Sequence, residues 1–116
     1  MLEKFEAFQI AKRHYKLCKS LKLPKTLYDQ LFRASSSIAL NLAEGSGKRT
    51  PEDQRRFYSI AFGSLRECQA ILELEDISDP ELRKLSNQLG AILYSLSRKR
   101  LNRTDTDAGA GAGADN

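Results

Sequence analysis

The sequence is poor in the residues that metal centres and membrane spans require. Its 116 residues include one histidine, two cysteines and no tryptophan. These do not form a spaced set of zinc ligands, and no Glu-x-x-His pair is present for a carboxylate-bridged di-iron centre. No run of eighteen apolar residues occurs, which excludes a membrane-spanning helix. We therefore expect no metal, no cofactor and no membrane partner.

Sequence motifs of secretion and catalysis are also missing. The N-terminus, MLEKFEAFQ, is charged at once and lacks the apolar core of a signal peptide, so we expect a cytoplasmic protein. Cys18 and Cys68 each lie inside an apolar helical pattern, and in a cytoplasmic protein they are predicted to be reduced core residues. The stretch Gly45–Lys48 resembles half a phosphate-binding loop but lacks its first glycine and upstream strand. We predict no enzyme.

What the sequence does contain is helical periodicity. Apolar residues recur at spacings of three and four in segments near 3–21, 26–44, 51–75 and 80–100. Thr50-Pro51 and Asp79-Pro80 each combine an N-cap residue with a proline at the first helical position, and Gly45 and Gly47 are predicted to stop the second helix. Short connections predict an all-α, antiparallel up-down-up-down four-helix bundle over 1–101. The alanine–glycine sequence in 102–116 is predicted to be a low-complexity mobile tail.

The third helix carries more apolar residues than one buried face needs. Its core stripe is predicted to be Phe57, Ala61, Ser64, Cys68, Ile71 and Leu72. Phe62 then falls on the opposite side and Tyr58 between the two faces. We predict that Tyr58 and Phe62 contact a second subunit. His14, on the apolar stripe of helix one, is predicted to be a packed residue and not a metal ligand.

Polar residues lie unusually close to the predicted core of helices two and three. Buried polar groups cost free energy unless they are paired, so this set predicts a polar network used in assembly. The sequence leaves open whether the network lies within one subunit or between subunits. Its members are Arg33, Ser37, Asn41, Glu44, Ser64 and Glu67.

Positive charge is concentrated in the first helix. Residues 1–25 hold seven basic side chains against two glutamates, a net charge of +5 within a chain of +4. This asymmetry favours RNA or DNA as a partner, although a solvated lysine-rich face has the same composition. We expect no aromatic residue among the cations to stack on bases, so that binding depends on charge and shape. The candidate residues for nucleic-acid binding are Lys12, Arg13, Lys16, Lys19, Lys48, Arg49, Arg55 and Arg56.

Two short motifs complete the sequence evidence. The pattern Arg33-Ala34, Ser37-Ile38, Asn41 and Ala43-Glu44-Gly45 is followed by Phe57, Ile60-Ala61, Gly63-Ser64-Leu65 and Glu67. Together they resemble the family of four-helix-bundle proteins encoded in intervening sequences of 23S ribosomal RNA, over about residues 5–100. The family is also similar to the accessory proteins of diversity-generating retroelements. The resemblance implies a ring-shaped homopentamer and, by way of the retroelement proteins, a basic ring that binds nucleic acid and reverse transcriptase.

Three functions follow as hypotheses. The first is a non-catalytic homo-oligomer associated with nucleic acid through its basic surfaces. The second is a scaffold for another protein, in which the charge serves solubility. The third is an enzyme with an unrecognised site at the polar network.

Overall fold

The computed structural model describes residues 2–98, which form four α-helices. They are α1 (Leu2–Lys19), α2 (Lys25–Ser46), α3 (Pro51–Leu74) and α4 (Pro80–Arg98). Each helix packs against the next one in sequence, and α1 also packs against α4, so the four helices surround one core. This is the predicted antiparallel bundle. Residues 99–116, which contain the predicted tail, lie outside the described residues.

The starts of α3 and α4 follow directly from their sequences. The Thr50 hydroxyl accepts a hydrogen bond from the Asp53 amide at 3.1 Å. The Asp79 carboxylate accepts from the Leu82 amide at 3.0 Å. Each cap satisfies a backbone amide that has no partner inside its helix, and the proline that follows has no amide to satisfy. The two predicted helix starts are therefore confirmed.

The end of α2 corrects the prediction for Gly45. The helix continues to Ser46, and Gly45 is buried in its last turn. A Cβ atom at Gly45 would lie 2.7 Å from Cε1 of Tyr58 and 3.2 Å from Cβ of Phe57. Gly47, just after the helix, has a φ of −92°, which any residue adopts. Gly45 thus serves the close approach of α2 to α3, and the left-handed helix stop expected from the two glycines is absent.

The buried stripe of α3 differs from the predicted one at two of its six positions, where Tyr58 and Leu65 take the places of Phe57 and Ser64. Tyr58 and Leu65 are buried at 2% and 0% exposure, whereas Phe57 and Ser64 are half-buried. Periodicity alone did not separate the two stripes because they share Ala61, Cys68, Ile71 and Leu72.

The core also settles the state of the cysteines. Cys18 and Cys68 are buried and free, as predicted. No Cα of α1 lies within 8 Å of a Cα of α3, which is too far for a disulfide between them. Burial raises the pKa of the Cys18 thiol to about 12 and raises that of Cys68 as well. None of the helices described here is long and apolar enough to cross a membrane.

Candidate functional site

Three of the six predicted network residues meet where α2 packs against α3. The hydroxyl oxygens of Ser37 and Ser64 lie 2.8 Å apart. The Asn41 side-chain amide donates to the Ser37 hydroxyl at 3.0 Å and to the Ser37 carbonyl at 2.9 Å. All three residues are half-buried. Hydroxyl and amide groups do not titrate near neutral pH, so this seam can hold the helices in register but cannot exchange protons as an acid–base pair.

The other three members lie outside the seam, which corrects their predicted place beside the core. Arg33, Glu44 and Glu67 are exposed. The Glu44 carboxylate, 55% exposed, lies 3.2 Å from the Lys48 ammonium. The side chains of Arg33 and Glu67 form no ion pair within residues 5–98. The apolar spacing of the sequence predicted the correct helices for these residues, but it predicted positions too close to the core.

Exposed apolar residues adjoin this polar seam. On helical spacing, one outward surface runs along α2 and α3. We call it the α2–α3 face; it consists of Arg33, Ser37, Leu40, Asn41, Glu44, Ile60, Gly63, Ser64 and Glu67. Leu40 is 65% exposed and Ile60 46% exposed. Sequence analysis missed Leu40 and Ile60 as site residues, although their spacing from the polar stripe could have identified them.

Gly63 is an unusual residue for the middle of this face. It lies in the interior of α3, where glycine costs about 1 kcal/mol relative to alanine. A Cβ atom at Gly63 would meet no atom within 4 Å. Packing within the described chain therefore does not require a glycine here, in contrast to Gly45.

The basic side of α1 is fully displayed. Lys12, Arg13, Lys16 and Lys19 are all exposed. None of these four forms an ion pair with an acidic side chain in the described part of the molecule. The Lys19 ammonium lies 5.3 Å from the centre of the Tyr15 ring. An aromatic ring therefore does lie among these cations, and the sequence-based expectation that none would is wrong.

The second basic cluster is partly neutralised. Lys48 is half-buried and pairs with Glu44, and Arg55 makes a contact within the chain. Lys48 and Arg56 lie over the Phe57 ring, at 5.1 and 5.0 Å from its centre. Arg49 is exposed. Lys48 is thus paired with a carboxylate, whereas none of the four α1 cations is, so α1 offers the stronger field to an anion.

The two predicted subunit contacts of α3 have partners in their own chain. Tyr58 is buried in the core, so the prediction that it touches a second subunit is corrected. Phe62 is half-buried and packs against the core. Its ring also meets that of Tyr94 edge to face, with centres 6.3 Å apart. Phe62 remains partly exposed, so the prediction that it contacts a second subunit stays a prediction.

His14 is buried, as predicted. Its Nδ1 lies 3.9 Å from the Cys18 sulfur, and its Nε2 has no hydrogen-bond partner in the described residues. Burial lowers the pKa of His14 to about 4, because a charged imidazole is poorly solvated in the core. The ring is therefore neutral at pH 7. No group of three or more histidine, cysteine or acidic side chains within the described chain is placed to hold a metal ion.

The comparison with protein families gives a match that covers all four helices. The family model for the 23S rRNA-intervening sequence protein matches residues 4–98. No curated protein matches the chain, and no solved structure does.

Proposed function

Since the chain belongs to the family of 23S rRNA-intervening sequence proteins, we propose that it is a non-catalytic, homo-oligomeric bundle that associates with nucleic acid. In this proposal the α2–α3 face joins the copies, five of them as the resemblance implies. The basic side of α1 remains outside and contacts phosphates. The exposure of Leu40 and Ile60 around Gly63 is the observation that carries the assembly.

The α2–α3 face has the composition of a contact between proteins. The exposure of Leu40 and Ile60 to water is unfavourable. Their burial against another surface would stabilise the contact by roughly 25 cal/mol for each Å² of apolar area. Gly63 lets a second backbone approach α3 closely, which explains a glycine that its own chain does not require. The serine–asparagine seam, which is part of this face, links α2 to α3 by hydrogen bonds.

Opposite charges on the same face allow one copy to pair with another. Arg33 and Glu67 are exposed and have opposite charges. In a head-to-tail ring each copy meets its neighbour through two different edges, so Arg33 of one copy can pair with Glu67 of the next. We expect Arg33→Glu and Glu67→Arg each to weaken assembly because like charges then meet. The double exchange should restore the parent mass in sedimentation if this pairing operates.

A substitution at Gly63 tests the face directly. Gly63→Leu fits the open space around α3 and raises helix propensity, so each chain should fold at least as stably as the parent. The added side chain should nevertheless block the second copy and reduce the mass measured by light scattering. Ala91→Leu, on an exposed position of α4, is the matched control and should assemble like the parent. An assembled Gly63→Leu variant would place the contact elsewhere.

The proposed nucleic-acid contact rests on the free charge of α1. Its four exposed cations have no acidic partner in the described residues. A phosphate that binds there displaces water and counter-ions and does not have to break an ion pair of the protein. Binding of this kind weakens linearly in log affinity against log salt, by about 0.9 for each phosphate contacted on duplex DNA. Several copies in one assembly add avidity without new contacts.

Two charge-matched variants test this contact. Lys12, Lys16 and Lys19 reversed to glutamate should lower the affinity for duplex DNA and structured RNA and flatten the salt dependence. Lys48, Arg49 and Arg56 reversed together change the net charge by the same amount and should have the smaller effect. A larger effect of the second variant would overturn the assignment to α1. If the parent binds no nucleic acid at about 50 mM salt, the alternative function, a scaffold for another protein, replaces this proposal.

A further inference from the structure

The outer side of the α3–α4 pair carries two aromatic rings held between two arginines. Tyr94 is 53% exposed. Its ring meets Phe62 edge to face, with 68° between the ring planes. The Arg98 guanidinium lies 4.8 Å from the centre of the Tyr94 ring, and that of Arg66 lies 5.6 Å from the centre of Phe62. We call this group the aromatic–arginine patch.

Packing accounts for only part of this patch. Phe62 packs against the core, and its ring meets the ring of Tyr94 edge to face. Tyr94 itself leaves more than half of its surface in water. Arg66 and Arg98 are exposed and form no ion pair within the described residues. The patch thus presents flat aromatic surfaces and two positive charges.

We propose that the aromatic–arginine patch binds single-stranded nucleic acid, with an unpaired base stacked on the Tyr94–Arg98 pair. A base offers a flat face to an aromatic ring or to a guanidinium plane, and its phosphates are attracted by the two arginines. A duplex hides its base faces inside its own stack, so the patch selects single strands. This inference rests on the proposed function and adds to it a ligand class and a second site.

Charge argues against a second copy of this chain as the occupant. A two-fold contact through the patch would bring Arg66 and Arg98 of one copy onto the same residues of the other. Four guanidinium groups would then share one interface without a carboxylate from the patch itself. A polyanion instead balances both arginines on each copy.

The test compares one oligonucleotide as a single strand and as a hairpin duplex, by fluorescence anisotropy on the assembled protein. Tyr94→Leu should weaken single-strand binding on the order of tenfold and leave duplex binding unchanged. Tyr94→Phe retains the ring and should retain the affinity. Arg98→Lys retains the charge but loses the planar group, so it should also weaken the single strand selectively.

Tyr15→Leu is the matched control, since Tyr15 is the aromatic residue that lies beside a lysine on α1. It should have a smaller effect on single-strand binding than Tyr94→Leu. Three results for Tyr94→Leu would overturn the proposal. The substitution could leave the affinity for both ligands unchanged, weaken the binding of both equally, or reduce the mass of the assembly without affecting binding. In each of these cases the parent still binds nucleic acid, so the proposed function stands and only the patch is ruled out. A parent that binds neither ligand contradicts the proposed function as well as the patch.

Discussion

Helix α1 and the α2–α3 pair place polar groups near the core in opposite ways. On its inner side α1 buries one imidazole, whose Nε2 has no hydrogen-bond partner in the described residues. On its outer side it displays cations without acidic partners. The α2–α3 pair links small polar groups at a half-buried seam and mixes both charge signs with exposed Leu40 and Ile60 outside.

In the proposed function the two regions meet two kinds of partner. A surface with one sign of charge and no exposed large aliphatic residue suits a polyanion. A surface with both signs, apolar side chains and an unexplained glycine suits another copy of the same chain. The following changes test how each region is held together, beginning with the largest expected effect.

The largest effect concerns the buried side of α1. The unfolded chain protonates His14 near pH 6.5, whereas the folded chain does so only near pH 4. Between these values the unfolded state binds more protons than the folded state. The free energy of unfolding therefore falls as the pH is lowered through this range, and it keeps its full value above pH 6.5. The total loss of unfolding free energy caused by this group is on the order of 3 kcal/mol.

Urea unfolding measured across this pH range checks the prediction. His14→Leu removes the titrating ring and should lose less stability than the parent as the pH falls from 6.5 to about 4. The carboxylates common to both proteins cancel in the comparison. Equal losses in the two proteins would show that His14 takes up its proton without cost in the folded state.

The next effect concerns the close approach of α2 to α3. Gly45→Ala places a methyl group 2.7 Å from a carbon of the Tyr58 ring, so the ring or the helix must shift. We expect a loss of about 2 kcal/mol, typical of an overpacked core. Gly47→Ala is the control, because its Cβ would lie no closer than 3.7 Å to another atom. Thermal unfolding should show a clear loss for Gly45→Ala alone.

A smaller effect is expected at the polar seam. Ser64→Ala removes the hydroxyl that pairs with Ser37 and leaves Ser37 with the Asn41 amide. We expect a loss of about 1 kcal/mol in the free energy of unfolding, since one hydrogen bond is removed at a half-buried position. Ser59→Ala, on an exposed part of α3, provides the reference. Equal stability of the two variants would make the seam irrelevant to folding.

The smallest effect is expected at Glu44. Its pairing with Lys48 is exposed and spans four residues, so Glu44→Ala should cost less than about 0.5 kcal/mol. Had Glu44 been buried in a network, as its sequence position suggested, the loss of one partner would cost about 3–5 kcal/mol. Chemical unfolding therefore distinguishes the exposed glutamate from a buried one.

The sequence was sufficient for the bundle but not for the details of its seam. The proline-containing caps at Thr50 and Asp79 are local signals, and both were predicted correctly. Gly45 and Tyr58 were not, because their roles depend on each other across two helices. A glycine after a helical run is most often a stop, and only the neighbouring ring shows otherwise. Phe62 and Tyr94 lie far apart in sequence, so no spacing rule could join them.

The mass of the parent protein in solution tests the central claim most directly. We predict that sedimentation equilibrium at micromolar concentration gives a closed assembly of about five times the 13.0 kDa of one chain. The nucleic-acid surface of α1 would then be repeated around the assembly. A single species of 13.0 kDa over the whole concentration range would contradict the account, because Leu40, Ile60 and Gly63 would then face only water.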